Sequence, residues 1–158
     1  MIKIKSLLRY PGSKGNMADN IIRLMPQHKS YLEPFFGSGA VFFKKSPSPI
    51  ETINDLDDDI VNLFTVLRKW PEELKKAISL TPYSRVEYNN AFYRTNEDDE
   101  VELARKFMIR SLQSHGFTCC EKSGWKNDVQ GREKAYCVIH WCDIPRIIDL
   151  ATERLREV

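Results

Sequence analysis

The chain has 158 residues, about enough for one domain, and its composition of 42% hydrophobic and 29% charged residues is that of a globular protein. Its longest apolar run is far below the roughly 18 residues that a membrane-spanning helix needs, and no signal-peptide pattern opens it. The net charge of +2 is too small to indicate nucleic-acid binding by itself. These values favour a cytoplasmic protein and disfavour a membrane protein.

The first predicted elements are a short apolar segment, a loop and a helix. The string IKSLLRY leads into a loop that contains Pro11, Gly12 and Gly15. A helix is expected over residues 18–25, and Pro26 should end it, because proline cannot continue a helix. The loop with its glycines therefore precedes the first predicted strand.

A strand, a glycine turn and a second strand come next. Residues 30–35 predict a buried strand whose apolar run breaks at Glu33 and Pro34, and Gly37 and Gly39 follow in a tight turn. Glycine is needed where φ is positive or where a Cβ would collide with a ligand, and a helix start near Ala40 would offer N–H groups to a negative group. The string IETIND predicts a second strand that ends at Asp55. This order indicates a nucleotide-like cofactor at the turn.

The remainder of the chain is predicted to be mostly helical. Apolar residues recur at helical spacing over 57–70, and the acids at 57–59 are expected to be helix-start charges. Strand and helix alternate up to residue 70, which predicts a βαβ unit and a parallel sheet. The later expected elements are a helix over 71–80, a helix capped by Ser84, an amphipathic helix over 96–114, a hairpin or ordered loop over 115–136 and a helix over 143–157.

The cysteines do not form a recognisable metal motif. They lie at Cys119, Cys120, Cys137 and Cys142, and no CxxC pair occurs. His115 and His140 are near them in sequence, yet no metal-ligand spacing recurs. We therefore expect reduced cysteines and no metal.

Three features narrow the class of cofactor. No third glycine follows Gly39 at the usual offset, which counts against NAD. Asp55 ends the second strand, where a carboxylate accepts hydrogen bonds from the ribose hydroxyls of S-adenosylmethionine as well as of NAD. The loop RYPGSKG provides an aromatic ring and a lysine, which could hold a methionine end with its sulfonium and carboxylate.

Together, RYPGSKG, YLEPFFGSGAVFF and INDLDDDIVNLF resemble the Dam-like, alpha-ordered family of DNA adenine-N6 methyltransferases, and the resemblance runs through nearly the whole chain. It implies an α/β fold, a Rossmann-like S-adenosylmethionine-dependent methyltransferase half-sheet with an inserted, mostly helical target-recognition region. It further implies an S-adenosylmethionine-binding portion at 1–70, a helical and hairpin recognition region for double-stranded DNA at 71–142, and a terminal helix at 143–158.

The resemblance also assigns site residues. The implied cofactor-binding residues are Tyr10, Lys14, Glu33, Pro34, Phe35, Gly37, Gly39 and Asp55. Tyr10 stands where the family often has tryptophan. Asp55 matches the acid that binds the ribose of the cofactor.

A second set of residues is implied for DNA. These are Arg110, Lys122, Trp125, Lys126 and Arg132. Residues 101–142 hold seven Lys or Arg and four acids, an excess that suits a phosphate-facing loop or an ordinary solvated face. Trp125 could wedge at a base step or pack against its own hairpin, and both readings stay open.

The catalytic motif of the family, Asp-Pro-Pro-Tyr, does not occur in this sequence. The similar string TPYS at 81–84 lacks the acid and follows a helix, so we name no catalytic residue and expect the chain to be inactive alone. A partial parallel sheet would expose apolar surface and open edges, so we expect instability, self-association or a need for a C-terminal fragment that carries the motif. The alternatives are a methyltransferase acting on RNA or another substrate, and a non-catalytic DNA-binding fragment of a broken methyltransferase.

Overall fold

The computed structural model describes residues 7–116, 119, 121–126, 136–156 and 158. In chain order its elements are α1 (Ala18–Leu24), β1 (Ser30–Glu33), β2 (Ile50–Ile53), α2 (Asp58–Lys69), α3 (Pro71–Leu80), α4 (Arg85–Asn90), α5 (Glu100–Gln113) and α6 (Tyr136–Leu155). Within these described ranges, no helix is long and apolar enough to cross a membrane.

The two strands form a small parallel sheet, which confirms the parallel pairing predicted from the sequence. Ser30 lies opposite Ile50, and Glu33 lies opposite Ile53. One face of this pair is open to solvent, since Leu32 is 62% exposed and Ile50 is 59% exposed. The expectation of a buried first strand therefore differs from the structure. The reason is that the described helices pack mainly on one another rather than across this face.

The segment between the strands contains turns instead of the helix expected near Ala40. Only about one helical turn forms, with Phe43 N–H donating to Gly39 O and Lys45 N–H donating to Val41 O, both at 2.9 Å. Proline at position 47 limits how far a helix could extend. The residues before it are used instead to bury apolar side chains, among them Val41 and Phe43.

The core lies between the helices. α2 packs against α5, α3 packs against both α5 and α6, and α4 packs against α5. The predicted starts of the middle helices are confirmed, because Pro71 opens α3 and the Ser84 hydroxyl accepts a hydrogen bond from Glu87 N–H at 3.2 Å. Residues before and after position 70 consequently share one core.

Two later elements differ from prediction. α5 begins at Glu100 rather than at residue 96, because Asp98 closes a turn by accepting from Thr95 N–H at 2.9 Å. α6 begins at Tyr136 rather than at residue 143, and it contains Pro145 in its interior.

Only part of the expected hairpin lies among the described residues. Ser114 and Trp125 form an antiparallel bridge, and two backbone hydrogen bonds flank it. His115 N–H donates to Gly124 O at 2.8 Å, and Lys126 N–H donates to Gln113 O at 2.7 Å. Residues 117–118, 120 and 127–135 lie outside the described part, and Arg132 is among them.

Candidate cofactor site and recognition surface

Three motifs that are distant in sequence meet at one cleft. The cleft has a volume of about 250 Å³ and lies between the loop after Leu8, the end of β1 and the end of β2. Pro34 and Gly39 do not line it. Six predicted cofactor-binding residues do line it, namely Tyr10, Lys14, Glu33, Phe35, Gly37 and Asp55.

Glycine is required at the two positions of the turn for different structural reasons. Both have positive φ, +51° at Gly37 and +64° at Gly39. A Cβ at Gly37 would lie 3.2 Å from Tyr10 Cδ1, so this glycine lets the Tyr10 ring approach the turn. A Cβ at Gly39 would lie 2.6 Å from Phe36 Cζ and 2.8 Å from Phe43 Cε2, so that glycine is required by the packing of phenylalanines.

Asp55 holds the turn together through both of its carboxylate oxygens. Gly37 N–H donates to Oδ2 at 2.7 Å, and Asp57 N–H donates to Oδ1 at 3.0 Å. The Gly37 N–H is therefore used inside the protein, and the segment behind it forms turns rather than the helix start that the sequence had indicated. Each carboxylate oxygen has a second lone pair, so Asp55 can still accept from a ligand hydroxyl.

The Tyr10 side chain is held in place by a hydrogen bond from its hydroxyl group. Its hydroxyl donates to Asp57 Oδ2 at 2.7 Å, and the other oxygen of Asp57 accepts from Asp59 N–H at 2.9 Å. Burial, together with the hydrogen bond and the charge of Asp57, raises the pKa of Tyr10 well above its usual value. Tyr10 is thus a neutral phenol whose aromatic ring borders the cleft.

The cleft also holds groups of opposite charge. Glu33 is buried and accepts from the Tyr31 hydroxyl at 2.8 Å, whereas Lys14 is exposed. Burial raises the pKa of Glu33, although the Tyr31 hydrogen bond and the Lys14 charge act in the opposite direction. The hydroxyls of Ser13 and Ser38 lie 2.8 Å apart and join the first loop to the glycine turn. A carboxylate and an ammonium group in one cleft suit a zwitterionic ligand.

A second cleft of about 180 Å³ shares Phe36 and Asp55 with the first. Its other lining residues include Ile53, Ile60 and Phe64, so it is largely apolar. This second cleft is not among the sites predicted from the sequence. Its apolar lining comes mainly from positions in IETIND and in the helix that follows.

A larger cavity, of about 620 Å³, lies elsewhere, between the end of α1 and the segment 45–48. None of the predicted site residues lines it. In the part of the chain that the structure describes, no three His, Cys, Asp or Glu side chains lie close enough together to hold a metal ion.

Arg110 lies in an internal ion pair. Its guanidinium is 2.7 Å from Asp59 Oδ2, only 11% of its side chain is exposed, and it lies near the rings of Phe92 and Phe107. The exposed Arg94 pairs with the same carboxylate. The family resemblance implied that Arg110 contacts DNA. In the structure its guanidinium instead contacts Asp59 at the start of α2.

The other described residues that the resemblance assigned to DNA are Lys122, Trp125 and Lys126. The Trp125 indole N–H donates to Gln113 Oε1 at 3.1 Å, and its ring centroid is 5.6 Å from that of Tyr83. Arg85, which is not among the residues predicted for DNA, is exposed at the start of α4, with its guanidinium 5.5 Å from the Trp125 ring. Lys122 is exposed and Lys126 is half-buried. We call Arg85, Lys122, Trp125 and Lys126 the basic patch.

Comparison with known proteins identifies the family. Residues 10–138 match the model of the D12 class N6 adenine-specific DNA methyltransferases. This range covers more than half of the chain and contains the three motifs that meet at the cleft, apart from Arg9 at the start of the first one. The chain belongs to this family.

Individual relatives agree with this assignment. A type II methyltransferase of Lactococcus lactis subsp. cremoris is 28% identical over 118 residues, which are 68% of this chain and 40% of that protein. The DNA adenine methylase of Escherichia coli is 29% identical over 120 residues, 74% of this chain and 43% of that protein. A DNA N-6-adenine-methyltransferase of an Escherichia phage is 27% identical over 139 residues, 82% of this chain and 18% of that protein. The chain spans less than half the length of these relatives.

Proposed function

We propose that this chain is the cofactor-binding and DNA-recognition portion of a site-specific methyltransferase that transfers a methyl group from S-adenosylmethionine to N6 of adenine in duplex DNA. The observation that carries the proposal is the cleft where three family motifs meet, which is lined by Glu33, Lys14 and Asp55. Duplex DNA as substrate fits the cytoplasmic location expected from the sequence.

The residues of the two clefts fit S-adenosylmethionine. Lys14 would bind the carboxylate of the methionine end, and Glu33 would bind its ammonium group. Asp55 would accept the ribose hydroxyls, and the apolar cleft beyond it would hold the adenine. When bound, the cofactor supplies an electrophilic methyl group. The protein contributes a fixed site, since Asp55 and Gly37 are already hydrogen-bonded to each other.

The remaining predicted cofactor residues have supporting roles in this proposal. Phe35 is 69% exposed at the edge of the first cleft, where it can cover a bound ligand. The Pro34 carbonyl accepts from the side-chain amide of Asn54 at 3.2 Å and so links the two strand ends. Gly39 acts through the packing of the turn.

The cofactor assignment predicts large losses of affinity in two variants. Lys14→Ala and Asp55→Ala should each weaken S-adenosylmethionine binding at least about tenfold, because each removes a charge-assisted contact. Isothermal titration calorimetry measures the affinity, and thermal unfolding shows whether each variant is folded. Lys76→Ala is the matched control, because Lys76 is exposed on α3 and lies outside both clefts. Unchanged affinity in both site variants would overturn the assignment.

For DNA we propose the basic patch as the phosphate-contacting surface, together with Arg132 from the sequence. Arg110 is assigned to the α2–α5 interface, because it pairs with Asp59 and only 11% of its side chain is exposed. The proposed functional division into 1–70, 71–142 and 143–158 does not imply independently folding units, since α5 packs on α2 and α6 packs on α3.

The DNA assignment predicts a change in salt dependence. The double variant Lys122→Ala/Lys126→Ala should weaken binding to all duplex sequences alike, since phosphate contacts carry no sequence information. The slope of log K against log salt should become shallower by about 0.9 for each lost contact. Fluorescence anisotropy over a salt series measures both. The same change of slope in Lys76→Ala would contradict the assignment to this surface.

A further inference from the structure

Beside the cofactor cleft, a closed circuit of contacts connects four residues, each touching the next: Tyr10, Asp57, Asp55 and Gly37. The Tyr10 hydroxyl donates to Asp57, Asp57 N–H donates to Asp55, and Gly37 N–H donates to the other oxygen of Asp55. The circuit closes because the Tyr10 ring lies directly against Gly37. Asp57 does not itself line the cleft. Any influence of its hydrogen-bonding oxygen on a bound ligand therefore passes mainly through Tyr10.

The Asp57 carboxylate does more than helix capping requires. One oxygen caps α2 by accepting from Asp59 N–H at 2.9 Å. Serine, threonine or asparagine caps a helix about as well with a single oxygen. The second oxygen is directed to the Tyr10 hydroxyl, and this contact joins residues 47 positions apart.

The backbone beside Tyr10 is held from the opposite side. Arg9 N–H donates to the Ser111 hydroxyl at 2.9 Å, and the same hydroxyl donates to Arg9 O at 2.8 Å. Ser13 N–H also donates to Tyr10 O at 3.0 Å. The backbone of Tyr10 is therefore held by α5 and by its own loop. The direction of the ring depends on the side-chain torsions, and the hydrogen bond to Asp57 constrains these.

We infer that Asp57 is a positioning residue, which holds the Tyr10 ring where its face meets the sulfonium of S-adenosylmethionine. The inference rests on the proposed function. The face of an aromatic ring attracts cations, and the attraction depends on the cation lying over the ring. A phenol that donates to a carboxylate is held by a charge-assisted hydrogen bond, which is stronger than a neutral one. Asp57 therefore contributes to the preference of the cleft for a sulfonium over a neutral thioether.

The test is a double-mutant cycle read with two ligands. The variants are Tyr10→Phe, Asp57→Asn and the double variant, and the ligands are S-adenosylmethionine and its thioether counterpart S-adenosylhomocysteine. Asparagine keeps an oxygen for capping α2, so Asp57→Asn should fold. Each single variant should lose roughly fivefold in affinity for the sulfonium ligand and less than twofold for the thioether. The double variant should lose little more than either single one, because both changes remove the same contact.

Asp58→Asn is the matched control, since Asp58 is exposed in the same first turn of α2. It removes the same charge one residue away and should leave both affinities unchanged. Additive losses in the double variant would overturn the inference, because Asp57 would then act through its own charge. Equal losses for the two ligands would also overturn it, since a general loosening of the cleft does not discriminate between them. Absence of binding by the unaltered chain would instead contradict the proposed function.

Discussion

Gly39→Ala should destabilise the protein by about 3 kcal/mol, the sum of a backbone term and a packing term. An alanine at φ +64° costs roughly 1 kcal/mol, because left-handed backbone crowds its Cβ. The new Cβ would also lie 2.6 Å from Phe36 Cζ and 2.8 Å from Phe43 Cε2. Both rings are almost fully buried, and overpacking a core typically costs about 1–3 kcal/mol.

The rings next to Gly39 belong to an aromatic cluster of Phe36, Phe42, Phe43 and Phe64. This packing explains why they cannot move away from a new Cβ. Phe36 packs edge-on against Phe64 at 4.7 Å between ring centroids and against Phe42 at 5.5 Å. Phe42 and Phe43 are also in edge contact, at 5.1 Å. Moving one ring away from a new Cβ therefore displaces the others.

Urea unfolding followed by circular dichroism measures the change in free energy. Gly12→Ala isolates the backbone term, because Gly12 has a similar φ of +71° and a Cβ there would meet no atom within 4 Å. It should cost about 1 kcal/mol. Equal destabilisation by the two substitutions would contradict the packing explanation for Gly39.

Local signals were sufficient for much of the fold. The helical periodicity of 57–70, Pro71 and the Ser84 cap gave α2, α3 and the start of α4 to within a residue or two. The parallel pairing of β1 and β2 followed from the alternation of strand and helix patterns, even though the connecting segment is not a helix. These elements are determined by residues close to them in sequence.

The structure differs from the predicted elements where contacts between residues distant in sequence determine the local conformation. The segment after Gly39 has helix-forming residues, but packing of Phe43 against Phe64 and of Phe42 against Phe36 makes it part of the aromatic cluster instead. α6 extends back past Trp141, whose indole N–H donates to Thr81 O at 2.9 Å across 60 residues. None of these contacts is visible in the local pattern.

The same limit applies to the candidate site. The family resemblance predicted six of the twelve residues that line the first cleft. It gave no indication of the Tyr10–Asp57 hydrogen bond or of the Arg110–Asp59 ion pair, which join residues 47 and 51 positions apart. Both contacts give the acids at 57–59 a role beyond that of helix-start charges.

The second large effect concerns methyl transfer itself, which we expect to be absent from this chain alone. The lone pair of adenine N6 is conjugated into the ring, so the amine needs acceptors that position it, and in the family these come from Asp-Pro-Pro-Tyr. That string is absent from the chain. The open sheet face, with Leu32 and Ile50 exposed, offers a surface for a complementary C-terminal segment.

Adding a separately produced C-terminal segment that carries Asp-Pro-Pro-Tyr should raise methyl transfer to duplex DNA by at least about a hundredfold, since such positioning groups typically contribute factors of that order. Transfer of a tritiated methyl group measures the activity. The control is the same segment with alanine in place of the aspartate and the tyrosine, which can still dock but cannot position the amine. Methylation by the chain alone, or equal activation by the control segment, would show that the acceptors for N6 lie within these 158 residues.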